Sequence, residues 1–302
     1  MTVSNKSTWL LILILAIIKF AIPFLLQHPV YELHRDEFLY LEQGHYLAWG
    51  YMEVPSMLSW LAWLTHFFGG SFFWVKFWPS FFGSLTLIIT CRMVKEMGGN
   101  LFAIFIAGLC IMFSSYLRIH FLFQANFLDI FWWSLSAYFI IRFINSNNIK
   151  YLYFIGFAFG CGWLAKNSVL FFIAGFAVAL ILTGYRKLYL NKHLYGAALL
   201  AFIIALPNIL WQYNHNWPLL HHMAELRETQ LKYLNPSDFL IGQLLMSISA
   251  FFIWLMGLIW LFTKSGKNYR MLAWIFISVI ILLVLTSGKN YYSLGAYPVL
   301  YA

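Results

Sequence analysis

Residues 34 to 57 read HRDEFLYLEQGHYLAWGYMEVPSM. They place Arg35, Asp36, Glu37, Glu42 and Glu53 within 24 positions of a chain that is only 10% charged and 62% apolar. Carboxylates can take up protons and cations can hold anions. Ionisable groups beside lipid also need partners or water, so such a cluster is a candidate working site. Tyr40 follows Asp36 by one helical turn and shares its face, where its phenol could donate to an anionic oxygen. Glu37 is adjacent to Asp36 and would point elsewhere on a helix, which leaves it in reserve. A helix cap or a surface carboxylate is the structural alternative for Asp36. Further ionisable side chains stand at Asp129, Lys166, His221, His222, Arg227 and Lys289, the last just before Tyr291 and Tyr292. The spacing of His215, His221 and His222 matches no recognised metal pattern, so no metal is expected.

These residues need elements to position them, and the composition sets the class. A mean hydropathy of +0.76, 21% aromatic residues and long uncharged runs describe an integral membrane protein. Cys91, Cys110 and Cys161 lie in or near apolar segments without CxxC spacing and read as buried packing residues. The first apolar run has no small-residue cleavage site after it and reads as an uncleaved anchor. Apolar segments lie at about 8–27, 72–92, 101–117, 127–144, 194–211, 239–262 and 270–287. Residues 151–184 are too long for one ordinary span and are interrupted at Ala165-Lys166-Asn167-Ser168. Read as two short spans, about 151–164 and 168–184, they give nine crossings with the N-terminus inside.

Charge favours the two-span reading. It puts 11 of the 19 basic residues on the inner side, with Glu96 as the only acid among them. The one-span reading turns the basic groups at 186–192 and 264–270 outward, against the positive-inside rule. The net charge of +9 is therefore a sidedness signal and does not imply a nucleic-acid partner. Two polar-aromatic loops, about 28–71 and 212–238, then face outward together with the Lys166 break and the stretch from Ser287. Within the first loop, Asp36 to Trp49 and Ser56 to Phe68 read as two helices lying in the membrane interface. No inverted repeat of the transporter kind is visible.

The acid pair of the first loop, then GYMEVP, GCGWLAKNS, LPNILWQYNHNWP and GKNYYSLGAYP, occur in this order. Together they resemble the GT-C glycosyltransferases that use lipid-linked sugars, in the branch holding protein O-mannosyltransferases and the lipid A aminoarabinose transferase. The likeness implies an all-helical membrane bundle that forms a single domain over residues 1–302. It also implies inverting transfer of a sugar from a polyprenyl phosphate to a lipid, glycan or protein acceptor on the outer face. No nucleotide or other cofactor is implied, and the setting would be a bacterial cytoplasmic membrane. A lipid phosphate leaves without protonation, so one carboxylate suffices as base, with donors and cations to hold the departing phosphate.

The resemblance makes Asp36 the candidate base, with Glu53 and Asp129 as supporting acids. It makes Tyr40, Tyr51, Lys166, His222, Arg227, Lys289 and Tyr291 the candidate phosphate ligands. Asp129 at a helix start and Lys166 at a membrane boundary also have ordinary structural readings. Lys19, inside the first span, reads as snorkelling or paired within the bundle. The sequence departs from the family at Val54, where a basic residue is usual, and at Ser56, where a second proline is usual. It ends at YPVLYA, inside what reads as another apolar span, which suggests the N-terminal part of a longer protein. A transporter or flippase for a lipid-linked substrate, or a non-catalytic subunit of the same fold, is the competing reading.

Overall fold

The computed structural model describes residues 5–28, Val30 and 32–302. Among these there is no strand, only an isolated antiparallel bridge between Gly50 and Pro55. The helices run α1 (Asn5–Leu26), α2 (Arg35–Glu42), α3 (Met57–Phe67), α4 (Phe72–Glu96), α5 (Leu101–Met112), α6 (Tyr116–Ile119) and α7 (Ala125–Ser146). There follow α8 (Lys150–Ala165), α9 (Val169–Leu182), α10 (Lys192–Asn214), α11 (Pro218–Thr229), α12 (Pro236–Met246), α13 (Phe251–Phe262) and α14 (Arg270–Leu285). The protein is an all-α, multi-pass membrane bundle.

By length and composition, α1, α4, α7, α10 and the stretch Lys267–Leu285 can each cross a bilayer; the count is seven if each of two bent helix pairs is one span. The other two expected crossings, α5 and α8, have 12 and 16 residues, fewer than the ~20 that an untilted span needs. The break at Lys166 separates α8 from α9 as the charge pattern predicts. The expected span 239–262, in contrast, is two helices bent by 66°.

The early end of α5 and this bend have one cause. Ser115 N–H donates to Met246 O at 3.1 Å, and the Ser249 hydroxyl donates to Phe113 O at 2.6 Å. Irregular backbone is tolerated in an apolar setting only when its polar groups find partners, and here two breaks satisfy each other.

Helix α7 is the most enclosed of the long helices and packs between α4 and α8. Helix α8 approaches α10 closely because Gly156 and Gly160 lie one turn apart on the contact face. A Cβ on Gly156 would fall 2.2 Å from Ala197 O, so only glycine permits the spacing. Lys19 is fully buried in α1 and donates to Tyr116 O at 3.2 Å, a pairing within the bundle.

The first loop corrects one expectation. The interfacial helix foreseen from Asp36 to Trp49 stops at Glu42 and tightens into a 3-10 turn, Gln43–His45. Gly44 there lies against the α3 backbone, where a Cβ would sit 2.7 Å from the Ala62 carbonyl carbon, so the chain turns away. The second helix foreseen in this loop is α3, close to its foreseen bounds.

Candidate active site

Helix α2 begins with a reciprocal cap. His34 Nδ1 accepts the Asp36 N–H at 3.2 Å, and a Glu37 carboxylate oxygen accepts the His34 N–H at 2.7 Å. The cap fixes the directions of two neighbouring acids. Glu37 turns inward and is 0% exposed, and its carboxylate also takes Lys76 Nζ at 2.6 and 2.7 Å and the Phe123 N–H at 2.7 Å. Those donors occupy the carboxylate, which leaves Glu37 no free place for a substrate proton.

Asp36 turns outward, with its side chain 36% exposed. Its Oδ2 accepts Gln124 Nε2 at 3.2 Å, and its Oδ1 accepts the solvent-exposed Arg35 Nε at 3.2 Å.

Around Asp36 the fold collects residues from five separate stretches. Tyr40 is half-buried one turn along α2. Its hydroxyl is held above the usual range first by burial, then by the charges of Glu53 and Asp36 and by Tyr292. Glu53 comes from the Tyr51–Pro55 turn and Asp129 from the first turns of α7. Asp129 is 3% exposed, and its Oδ2 accepts the Ser168 hydroxyl at 2.7 Å.

Lys166 caps α8 outside the helices, with Nζ 5.1 Å from the Tyr291 ring centroid and 4.4 Å from that of Tyr292. Burial pushes its ammonium down to about 8; nearby Asp129 opposes the shift and Lys289 adds to it. Lys289 is lowered too, by burial, with Asp36 opposing. Its Nζ donates to Gln230 Oε1 at 2.8 Å. The Tyr291 hydroxyl is pushed up, mainly by burial and then by Tyr292. Asp36, Tyr40, Glu53, Asp129, Lys166, Lys289 and Tyr291 thus converge. Acids, cations and phenols lie near one another there, a set able to accept a proton and hold a phosphate.

Three expected residues are placed differently. The Tyr51 hydroxyl lies 2.8 Å from Tyr46 O and 3.1 Å from Gln43 O, and it accepts the Ala48 N–H at 3.1 Å. Tyr51 therefore staples the loop. His222 and Arg227, on α11, make no hydrogen bond or ion pair with the cluster among the described residues. Arg227 lines a cavity of about 560 Å³ with Leu231, Lys232 and Ser287, and it is Gln230, just past α11, that reaches Lys289.

Two groups were missed by reading the sequence. Lys76 was visible as a lone cation in an apolar span, which implies a buried partner. Gln124 and Asn126 carry no such signal, because neutral amides are ordinary in loops. Val54, where the family usually has a cation, is 5% exposed and packs with Leu58, Ala62, Val75 and Phe123. A charge at that position would point into the core.

Comparison with known proteins agrees with this architecture. The family model described as dolichyl-phosphate-mannose-protein mannosyltransferase matches residues 53–211. The lipid A galacturonosyltransferase RgtD of Rhizobium johnstonii is 20% identical over 267 residues, 83% of this chain and 56% of that protein. ArnT from Cupriavidus metallidurans, solved with undecaprenyl phosphate, superposes with a TM-score of 0.76 at 14% identity, over 99% of this chain and 59% of that one. The archaeal oligosaccharyltransferase AglB from Archaeoglobus fulgidus, solved with an inhibitory peptide and a dolichol-phosphate, gives 0.63 at 12%, over 97% and 49%. The chain thus spans little more than half the length of the curated relative. More than half of its 302 residues fall within the family match and nearly all share the GT-C fold, so this chain belongs to the dolichyl-phosphate-mannose-protein mannosyltransferase family.

Proposed function

We propose that the protein is an inverting glycosyltransferase that moves a sugar from a polyprenyl phosphate to an acceptor hydroxyl or amine on the outer membrane face. The observation that carries this is the meeting of one outward carboxylate, Asp36, with two cations of lowered basicity, Lys166 and Lys289, and the phenols of Tyr40 and Tyr291. In the reaction the acceptor heteroatom bonds to the anomeric carbon as the bond from that carbon to the phosphate oxygen breaks. The acceptor's proton goes to Asp36, and the electron pair leaves on the lipid phosphate, which Lys166, Lys289 and the phenols hold. Asp129, bonded to Ser168 at the start of α9, helps to hold Lys166 charged. A lipid acceptor in a bacterial inner membrane fits the relative named for lipid A; a glycan or protein acceptor is the wider class. The test is to supply radiolabelled polyprenyl-phosphate sugar to membranes containing the intact gene product. Labelled acceptor should form, and a yield no higher than in membranes lacking the protein would end the proposal.

Sidedness is tested separately. The native cysteines are buried, so a single cysteine placed at Asn216 should react with an impermeant thiol reagent applied from outside. Cysteines at Asn191 and Lys267 should not. Labelling at Asn191 would invert the second half of the bundle and move α11 away from the first loop's face.

Lys166 gives a pH dependence. An ammonium held at about 8 binds phosphate fully below that pH and loses its charge as pH rises through it. The KM for the lipid donor should therefore climb between about pH 7 and 9.5, and Lys166→Arg, which stays charged throughout, should flatten the climb. If the wild-type and Lys166→Arg profiles have the same shape, Lys166 is not the phosphate cation.

A further inference from the structure

Asp36 and Lys166 lie on distant segments, yet side-chain amides at the start of α7 join them. Lys166 Nζ donates to Asn126 Oδ1 at 2.6 Å, Asn126 Nδ2 donates to Gln124 Oε1 at 3.1 Å, and Gln124 Nε2 donates to Asp36 Oδ2 at 3.2 Å. The two ends dictate the direction. An ammonium can only donate and a carboxylate can only accept, so turning either amide over would break both of its bonds. The start of this strip is itself anchored, because Phe123 N–H is bonded to the buried Glu37 carboxylate.

We propose that Gln124 and Asn126 are positioning residues, a one-way amide relay that orients the Asp36 carboxylate and couples it to the phosphate site at Lys166. This rests on the reading of Asp36 as base and Lys166 as phosphate cation. Hydrogen bonds in series polarise one another, by about 10–30% per bond, and the ammonium is the source of that polarisation. Without donor, the charged lysine strengthens the whole chain and Oδ2 is held firmly by Gln124. When the donor's phosphodiester monoanion settles on Lys166 it neutralises that charge and the chain slackens. The carboxylate stays oriented but is released to take a proton. The base is thus readied once the leaving group is in place.

The test is a double-mutant cycle on Gln124→Met and Lys166→Met, with turnover and donor KM measured in membranes that hold the acceptor. Gln124→Met is close in length but cannot donate to Asp36. It should lower kcat about tenfold, as expected for loss of a hydrogen bond to a charged group, with donor KM within about twofold. Combined with Lys166→Met it should be non-additive in kcat by at least about threefold, because the chain is already cut. A packing defect would instead reduce the amount of folded protein and leave the kcat effects additive. Additive effects, or a loss confined to KM, would overturn the relay. Asp36→Asn serves as the control for the underlying reading. If it turns over, the base assignment has failed. If it is inactive while the cycle is additive, only the relay has failed.

Discussion

Asp36→Asn should abolish sugar transfer while leaving the protein folded and donor binding nearly intact. General-base assistance is typically worth about 10²–10⁴-fold in rate, and asparagine keeps the size and one hydrogen-bond acceptor but has no basic oxygen. The geometry separates this loss from a folding defect. The Asp36 side chain is 36% exposed and its partners are Gln124, the exposed Arg35 and, at 3.8 Å, the partly exposed His34, so the bundle does not depend on its charge. Gln124 Nε2 can still donate to the amide oxygen of the variant. In the proposed site the donor phosphate is held by Lys166, Lys289 and the phenols, and the substitution removes none of these side chains. Turnover and donor affinity should be measured on the same preparation. If more than about a tenth of the turnover remains, Asp36 is not the base, and Glu53, which makes no hydrogen bond among the described residues, becomes the next carboxylate to test.

What the sequence revealed depended on the range of the interactions. Charge sidedness and the Lys166 interruption are local, so the split between α8 and α9 and the helix α3 were readable. The convergence of the first-loop acids with Lys166 and Lys289 came from the resemblance, since nothing in composition brings residues 36, 166 and 289 together. The features that escaped are bonds across long separations. The α5 end is tied to the α12–α13 bend through Ser115 and Ser249, and Lys76 reaches back to Glu37. The Tyr51 hydroxyl is a nearer case, taken by loop carbonyls five and eight residues back. Periodicity reports which face of a helix is apolar, but it does not report which carbonyl a serine will find. The family match begins at residue 53, after α2, so the placement of Asp36 rests on motif order and on the geometry of the cap.

Glu37→Gln, at the acid that sequence reasoning holds in reserve beside Asp36, should damage the fold. Lys76 is 2% exposed, its ammonium sits over the Phe72 and Phe121 rings, and Glu37 is its only carboxylate partner among the described residues. Breaking a buried pair by removing one charge usually costs about 3–5 kcal/mol, because the other charge is left uncompensated. Glutamine can still accept from His34 N–H or Phe123 N–H through its oxygen, but its amide group turns donors toward the ammonium. Lys76→Met should be milder, since the remaining carboxylate keeps both backbone donors. The double variant Glu37→Gln/Lys76→Met should recover part of the loss, because it buries no unpaired charge. Thermal unfolding in detergent gives the ranking, with turnover per folded molecule measured alongside. The expected order of stability places Glu37→Gln lowest, while its folded fraction keeps turnover within about an order of magnitude of wild type, as suits a residue that anchors the base helix without touching the reaction. A Glu37→Gln protein that melts with the wild type but does not turn over would reverse the roles of the two neighbouring acids.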